Sequence, residues 1–306
     1  MKSLPEYFQV SAEVQEALLE KSPIVALETT VLTHGLPFPS NLELALDMEQ
    51  SVRQAGALPA TIGVLDGIVQ VGLNQNQVER LATPNDKAKI SIRDFGFAIA
   101  ERKSGGTTVA GTVFAAHKVG IQVFATGGIG GVHRQVDSGG TAFDISADLP
   151  ALARFPVAVV CAGAKAILDL PATLEYLETM AVPVIGYGTS EFPAFYSRSS
   201  GLKLQHRADT PSEAAALIQA QWSLGLASAV IICVPVPTTA ALSGEAIDHV
   251  IQRAIEEMVT RGITGPAVTP YLLERVSTLS GGDSMRANLG LLLNNARVAA
   301  QIACAS

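Results

Sequence analysis

Phe155-Pro-Val-Ala-Val-Val-Cys-Ala-Gly-Ala164 is the most apolar run in the chain, and it stops at a lone amine, Lys165. It falls short of the roughly 18 apolar residues that a spanning helix needs, so it reads as a strand buried on both faces. Such strands belong to sheets covered by helices. Outward from it, Pro23 to Leu32, Ile121 to Ala125, Val182 to Tyr187 and Ala229 to Val234 are further strands of this kind, the first carrying one charge, Glu28. Helical patterns alternate with them. Ser40-Asn-Leu-Glu43 has the spacing of a capping box, followed by Leu42, Ala45, Met48 and Val52 at helical intervals. Thr210-Pro211 opens a helix with a cap and an N1 proline, Ser243 to Arg261 carries one apolar face, Thr269-Pro270 starts another helix, and Ser284 to Cys304 is apolar on several faces. Thr61 to Leu65, Asp66-Gly67 and Ile68 to Val71 predict a β-hairpin, because Asp-Gly supplies the positive φ angles of a two-residue turn. The expected architecture is an α/β/α sandwich around a central mixed sheet, with residues 1–306 forming one domain free of repeats or linkers.

Composition narrows the function classes. With 306 residues, 48% hydrophobic and 16% charged, the chain can build a large core, which excludes a disordered or fibrous protein. Lys and Arg total 21 against 28 for Asp and Glu, a formal charge of -7, so a basic footprint for nucleic acid is missing. Neither a secretory h-region at the start nor a spanning run is visible, and a soluble protein is expected. Cys161, Cys233 and Cys304 lie in apolar surroundings and are odd in number, as for reduced thiols in a cytosol.

Several segments could carry chemistry. Thr126-Gly-Gly-Ile-Gly-Gly-Val-His-Arg134 ends a strand with glycines that let amides approach an anion, although it lacks the dinucleotide spacing; the plainer reading is a tight glycine turn. Gly105 to Thr112 opens a helix that suits a phosphate, or is ordinarily capped. Lys165 stands at the carboxyl edge of its strand, where ligands bind in open α/β sheets. A partly desolvated amine there is a nucleophile for Schiff-base chemistry; a lysine that reaches out to solvent is the alternative. Glu28, in apolar surroundings, suits a proton donor, or an exposed strand end. Asp144 and Asp148 place two carboxylates four apart around Ser146, a donor set for Mg²⁺ or Mn²⁺, or an N-cap beside a solvated Asp. Lys89-Ile-Ser-Ile-Arg93-Asp94 alternates as a strand with one polar face, and the five histidines show no zinc spacing.

Together these segments resemble the pseudouridine-5'-phosphate glycosidases, or indigoidine-synthesis A-type proteins, from about Pro23 to Ala303. The resemblance rests on Ala26 to Pro37, Gly106 to Ala110, Ala125 to Arg134, Phe143 to Asp148, Val160 to Asp169, Ile185 to Thr189, Phe192 to Phe195 and Asn294 to Arg297. It implies reversible cleavage of the C-C glycosidic bond of pseudouridine 5'-phosphate to uracil and ribose 5-phosphate, with a divalent metal, usually Mn²⁺. Uracil has no protonatable leaving heteroatom at that bond, so the two-carboxylate glycosidase scheme does not suffice. On the resemblance, Lys165 is the nucleophile that forms an imine with ring-opened ribose, and Glu28 is the general acid. Lys89, Thr108, Val109, Ser146, Ala147 and Asp148 fall on substrate-binding positions, Asp144 on the metal ligand, and His133 and Asn288 on polar residues of the uracil and ribose pocket. A homotrimer is implied as well.

The chain departs from the family pattern at three places. Gln135 to Ala142 is longer than expected and could displace His133 from Asp144; Pro266 replaces a common lysine; Ile92 replaces a common basic residue beside Arg93. The competing expectations are a Schiff-base phosphosugar lyase and a phosphosugar-binding accessory protein without turnover.

Overall fold

The computed structural model describes residues 6–84, 86–134, 144–263 and 268–306. Its strands are β1 (Phe8–Val10), β2 (Ile24–Leu27), β3 (Leu58–Leu65), β4 (Ile68–Val71), β5 (Ala88–Ile90), β6 (Gly105–Thr107) and β7 (Val123–Ala125). They continue with β8 (Val132–His133), β9 (Ala158–Cys161), β10 (Leu168–Asp169), β11 (Val184–Tyr187), β12 (His206–Ala208) and β13 (Val230–Cys233). The helices are α1 (Ala12–Glu20), α2 (Ser40–Gln54), α3 (Gln75–Ala82), α4 (Phe95–Ala100), α5 (Val109–Val119) and α6 (Asp148–Leu152). After them come α7 (Leu170–Thr179), α8 (Pro211–Ser223), α9 (Gly244–Thr260), α10 (Val268–Leu279) and α11 (Asp283–Cys304).

One sheet organises the chain, in the order β1-β4-β3-β2-β7-β9-β13-β11-β12, with β6 joined to β3 and β5 to β6. From β3 to β12 every pair is parallel, while β3 meets β4 and β6 antiparallel, so the sheet is mixed as expected. Leu65 pairs with Ile68 across Asp66 and Gly67, whose φ angles of 51° and 80° are those of the predicted hairpin turn. Ile24 to Leu27 are buried on both faces, with α11 and α5 both packed against β2. The apolar last helix is therefore core of the subunit: it crosses β2, β7 and β9 and lies along α2 and α8. No helix among the described residues is long and apolar enough to cross a membrane.

Four local expectations are corrected. The strand predicted to reach Leu32 ends at Leu27, and the chain then enters a wide π-helical turn, Val31–Gly35. The Thr29 hydroxyl sets that departure, donating to the Ile62 carbonyl at 2.7 Å and accepting from the Thr107 amide at 3.0 Å. Ser40 is no capping residue: α2 starts from Pro39 without a side-chain cap, and it buries Asn41, Leu44, Met48 and Val52, leaving Leu42 and Ala45 against a small satellite cluster. Lys89 to Asp94 is extended only through Ile90 and then closes a 3₁₀ turn capped by Ser91 and Asp94. Cys304 is exposed, whereas Cys161 and Cys233 are buried cross-strand neighbours.

Candidate active site

The parallel register brings Leu27, Ala125 and Val160 side by side, so the residues that follow β2, β7 and β9 emerge together at the carboxyl edge. The chain leaves β2 for β3 on one side and places β7 on the other. This is a switch in strand order, where open α/β sheets form ligand crevices. Glu28 comes directly from β2 and Thr126 directly from β7, and the Thr126 hydroxyl donates to the Glu28 carboxylate. Beyond the strand ends the two loops keep pairing. Ala162 N donates to Gly127 O at 2.8 Å, Ile129 N to Gly163 O at 3.1 Å and Lys165 N to Ile129 O at 3.1 Å, so the lysine backbone is held as firmly as if it were still in the sheet.

The glycines make that pairing possible by size. A Cβ on Gly128 would lie 2.6 Å from the Phe195 ring, and one on Gly130 would lie 2.1 Å from Ser146 Oγ. None of the glycines at 127, 128, 130 and 131 has a positive φ, so the expected tight turn is instead a close packing of two loops. Gly163, at φ 83°, is where the turn before Lys165 requires glycine.

Two cavities meet at Glu28, Thr30, Lys89, Lys165 and Thr269. The smaller, about 160 Å³, is walled by Ser91, Thr108, Val109, His133, Ser146, Ala147 and Asp148. The larger, about 520 Å³, extends past His34, Phe195, Tyr196 and Met285 to Asn288 on α11. Every expected catalytic and substrate-binding residue thus lines one cavity or both. Asp144 does not. It is exposed at the rim, with its carboxylate 3.9 Å from His133 Nδ1. Residues 135–143 lie outside the described residues, yet His133 N donates to Asp144 O at 2.9 Å, so the expected displacement of His133 from Asp144 is not seen.

Electrostatics divide the charged groups into roles. Burial pushes the Glu28 carboxyl up, against the opposing pull of Lys165 and the Thr126 hydroxyl. Burial and the neighbouring Lys165 push the Lys89 amine down. Burial likewise lowers His133, with Asp144 acting against it. Burial therefore favours the uncharged forms of Glu28, Lys89 and His133, and an acid held toward its protonated form suits proton delivery.

Asp148 departs from both of its predicted readings. It is buried, and its oxygens accept from the Ala110 amide at 2.9 Å and the Gly130 amide at 2.8 Å, fastening the N-terminus of α5 to the glycine loop. It is neither a solvated residue nor a free metal ligand. Thr108 performs the ordinary capping that its position allowed, accepting from Gly111 N at 3.2 Å, while its residue still borders the small cavity. For a divalent metal, the described residues offer no group of three or more His, Cys, Asp or Glu that could form a cage. One exposed carboxylate, Asp144, fits a mostly hydrated Mg²⁺-like or Mn²⁺-like ion, since such ions keep several waters and take one or two carboxylates.

Asn295 is a site residue that the sequence did not single out beyond its motif. Fully buried on α11, it donates to Thr126 O at 2.9 Å and Gly127 O at 3.3 Å and so fixes the loop that presents Thr126 to Glu28. Its only sequence signal is a polar residue on the apolar face of a helix.

Residues 13–305 match the family model described as Indigoidine synthase A like protein. The chain is 52% identical to a pseudouridine-5'-phosphate glycosidase of Solibacter usitatus, over 97% of this chain and 98% of that protein. It is 49% identical to the protein of the same name from Geobacillus kaustophilus, over 97% of this chain and 98% of that one. Among solved structures it resembles the prealnumycin C-glycosynthase AlnA in complex with ribulose 5-phosphate, with a TM-score of 0.90 and 40% identity over 98% of this chain and 97% of that chain. An indigoidine synthase A-like protein of Thermotoga maritima superposes with a TM-score of 0.88 at 30% identity, over 99% of this chain and 98% of that chain.

Proposed function

The chain belongs to the indigoidine synthase A-like family, and from that premise we propose that it is a pseudouridine-5'-phosphate glycosidase working through a lysine imine. The observation that carries the reading is the meeting of Lys165, Glu28 and Lys89 at the junction of a small polar cavity and a larger, more apolar one. The small cavity, with its threonine, serine and histidine walls, suits ribose 5-phosphate, and the larger accommodates the base.

The steps follow from the positions of the groups. The raised carboxyl of Glu28 keeps a proton to give to the ring oxygen as the C1'–O4' bond breaks, while Lys165 Nζ bonds to C1' and loses a proton. The nitrogen lone pair then forms C=N as the C1'–C5 bond breaks; the electron pair leaves with the uracil ring, which takes a proton at C5. Water adds to the imine, releasing ribose 5-phosphate and free Lys165. Lys89, its amine pushed down by burial and by Lys165, lies beside both reacting groups as a substrate contact. Asp144 would hold Mn²⁺ at the rim, where the ion supplies positive charge and ordered water near the anionic substrate. The same proposal includes a homotrimer, for which sedimentation at three chain masses is the expected result, and a reducing cytosolic setting, with which the free cysteines agree.

The test is synthesis in reverse: uracil, ribose 5-phosphate and Mn²⁺ with the protein, analysed for pseudouridine 5'-phosphate, with a chelator control. Product is expected, lost with chelator and lost by a factor on the order of 10³ or more in Lys165→Ala with an unchanged melting temperature. Undiminished product from Lys165→Ala would remove the imine. Breakdown of the sugar phosphate with no uracil present would favour a phosphosugar lyase, because both readings form a borohydride-trappable imine with ribose 5-phosphate.

A further inference from the structure

Three buried side-chain polar atoms have no hydrogen-bond partner among the described residues: Thr30 Oγ1, Tyr271 Oη and Asn295 Oδ1. Of these residues, only Thr30 lines the two cavities, and it does so at their junction with Glu28, Lys89 and Lys165. The hydroxyls of the threonines beside it on the strand ends and the turn are committed. Thr29 Oγ1 donates to Ile62 O at 2.7 Å, Thr33 Oγ1 to Thr29 O at 3.1 Å, Thr107 Oγ1 to Ile62 O at 2.8 Å, and Thr126 Oγ1 to Glu28. A buried hydroxyl without a partner destabilises the protein that carries it, so one standing at a reaction junction is unlike the structural threonines around it.

We infer that the Thr30 hydroxyl is a specificity group for the sugar, paired on binding with the 2'-hydroxyl of the ribose. The inference rests on the proposed glycosidase reading. With C1' at Lys165 Nζ and the ring oxygen at Glu28, the sugar atoms at the junction are C1' and its neighbours, and the polar group on the next carbon is the 2'-hydroxyl. Threonine swings its oxygen between two favoured side-chain rotamers in helical backbone, and Thr30 has φ -64° and ψ -35°, so a small rotation suffices to meet the ligand. A site that hydrogen-bonds a substrate hydroxyl strongly rejects the analogue lacking it, because its own polar group is then left unpaired.

The experiment compares wild type, Thr30→Val and Thr30→Ser with ribose 5-phosphate and 2-deoxyribose 5-phosphate, each with uracil and Mn²⁺, and also measures the melting-temperature shift given by each sugar phosphate alone. Wild type is expected to favour the ribose compound in rate and in thermal shift. In Thr30→Val, kcat/KM for ribose 5-phosphate falls by about 10-fold or more, the value for the deoxy compound changes little, and the preference collapses in both readouts. Thr30→Ser restores the preference, and Thr30→Val melts no lower than wild type. A Thr30→Val protein that keeps the full ribose preference, or that melts well below wild type, overturns the inference. If wild type makes no product, the glycosidase reading fails on its own, and the thermal shifts of the two sugar phosphates still decide the role of Thr30.

Discussion

Glu28 shows how one residue acquires its chemistry from what surrounds it. In the sequence it is a carboxylate in an apolar run; in the structure it stands one residue past β2, bonded by Thr126 and facing Lys165. Because its folded-state value is raised above the ordinary carboxylate value, the folded protein binds a proton at Glu28 that the unfolded chain has released. Stability is therefore lost as pH rises from the ordinary value through the raised one. Glu28→Gln keeps the shape and removes that loss, so its melting temperature is expected to exceed wild type at pH 8 and to match it near pH 4, as differential scanning calorimetry would record. Turnover should fall by about 10²-fold or more, since the amide has no proton to give. An E28Q protein that melts like wild type at both pH values would show that Glu28 is not held protonated. Lys165 and Glu28 were legible as candidates because a charge in an apolar strand is unusual. Thr30 was not, because a threonine among threonines gives no signal until its hydroxyl is found unpaired.

Elements hold these residues through backbone contacts that no motif displays. Asp148 is the clearest case, since it opens α6 yet its carboxylate binds two amides from α5 and the glycine loop. Asp148→Asn leaves one of those amides facing an NH₂ group. A loss of about 2 kcal/mol in urea denaturation is expected, together with reduced turnover, because hydrogen bonds to a charged acceptor contribute about 1.5–3 kcal/mol each. Unchanged stability would mean that the staple is not formed. The sequence offered Asp144 and Asp148 as a pair on the strength of their spacing. Folding separates them, one to the solvent and one to the core, because α6 turns Asp148 inward beneath Gly130 while Asp144 remains on the extended stretch paired with His133.

At the scale of the whole molecule, α11 is the piece that completes the site. It runs across β2, β7 and β9, holds Thr126 and Gly127 through Asn295, and lends Asn288 to the cavity wall. Leu291, fully buried on this helix, would approach within 3.3 Å of a Cβ on Gly127, so it supports the loop from below. Leu291→Ala should cost about 2–5 kcal/mol of stability and loosen the loop, and ribose 5-phosphate should recover part of the lost melting temperature. A variant that melts like wild type would place α11 outside the core. By itself the sequence determined the alternation of strands and helices, the Asp-Gly hairpin and the charges stranded in apolar runs, because burial of apolar side chains and turn chemistry act over a few residues. Only the tertiary structure decided that Glu28, Lys89 and Lys165, separated by up to 137 positions, share one crevice. It alone also decided that Asp148 is a staple and that the Thr30 hydroxyl has no partner among the described residues, because strand order and hydrogen-bond satisfaction are settled between segments far apart in the chain.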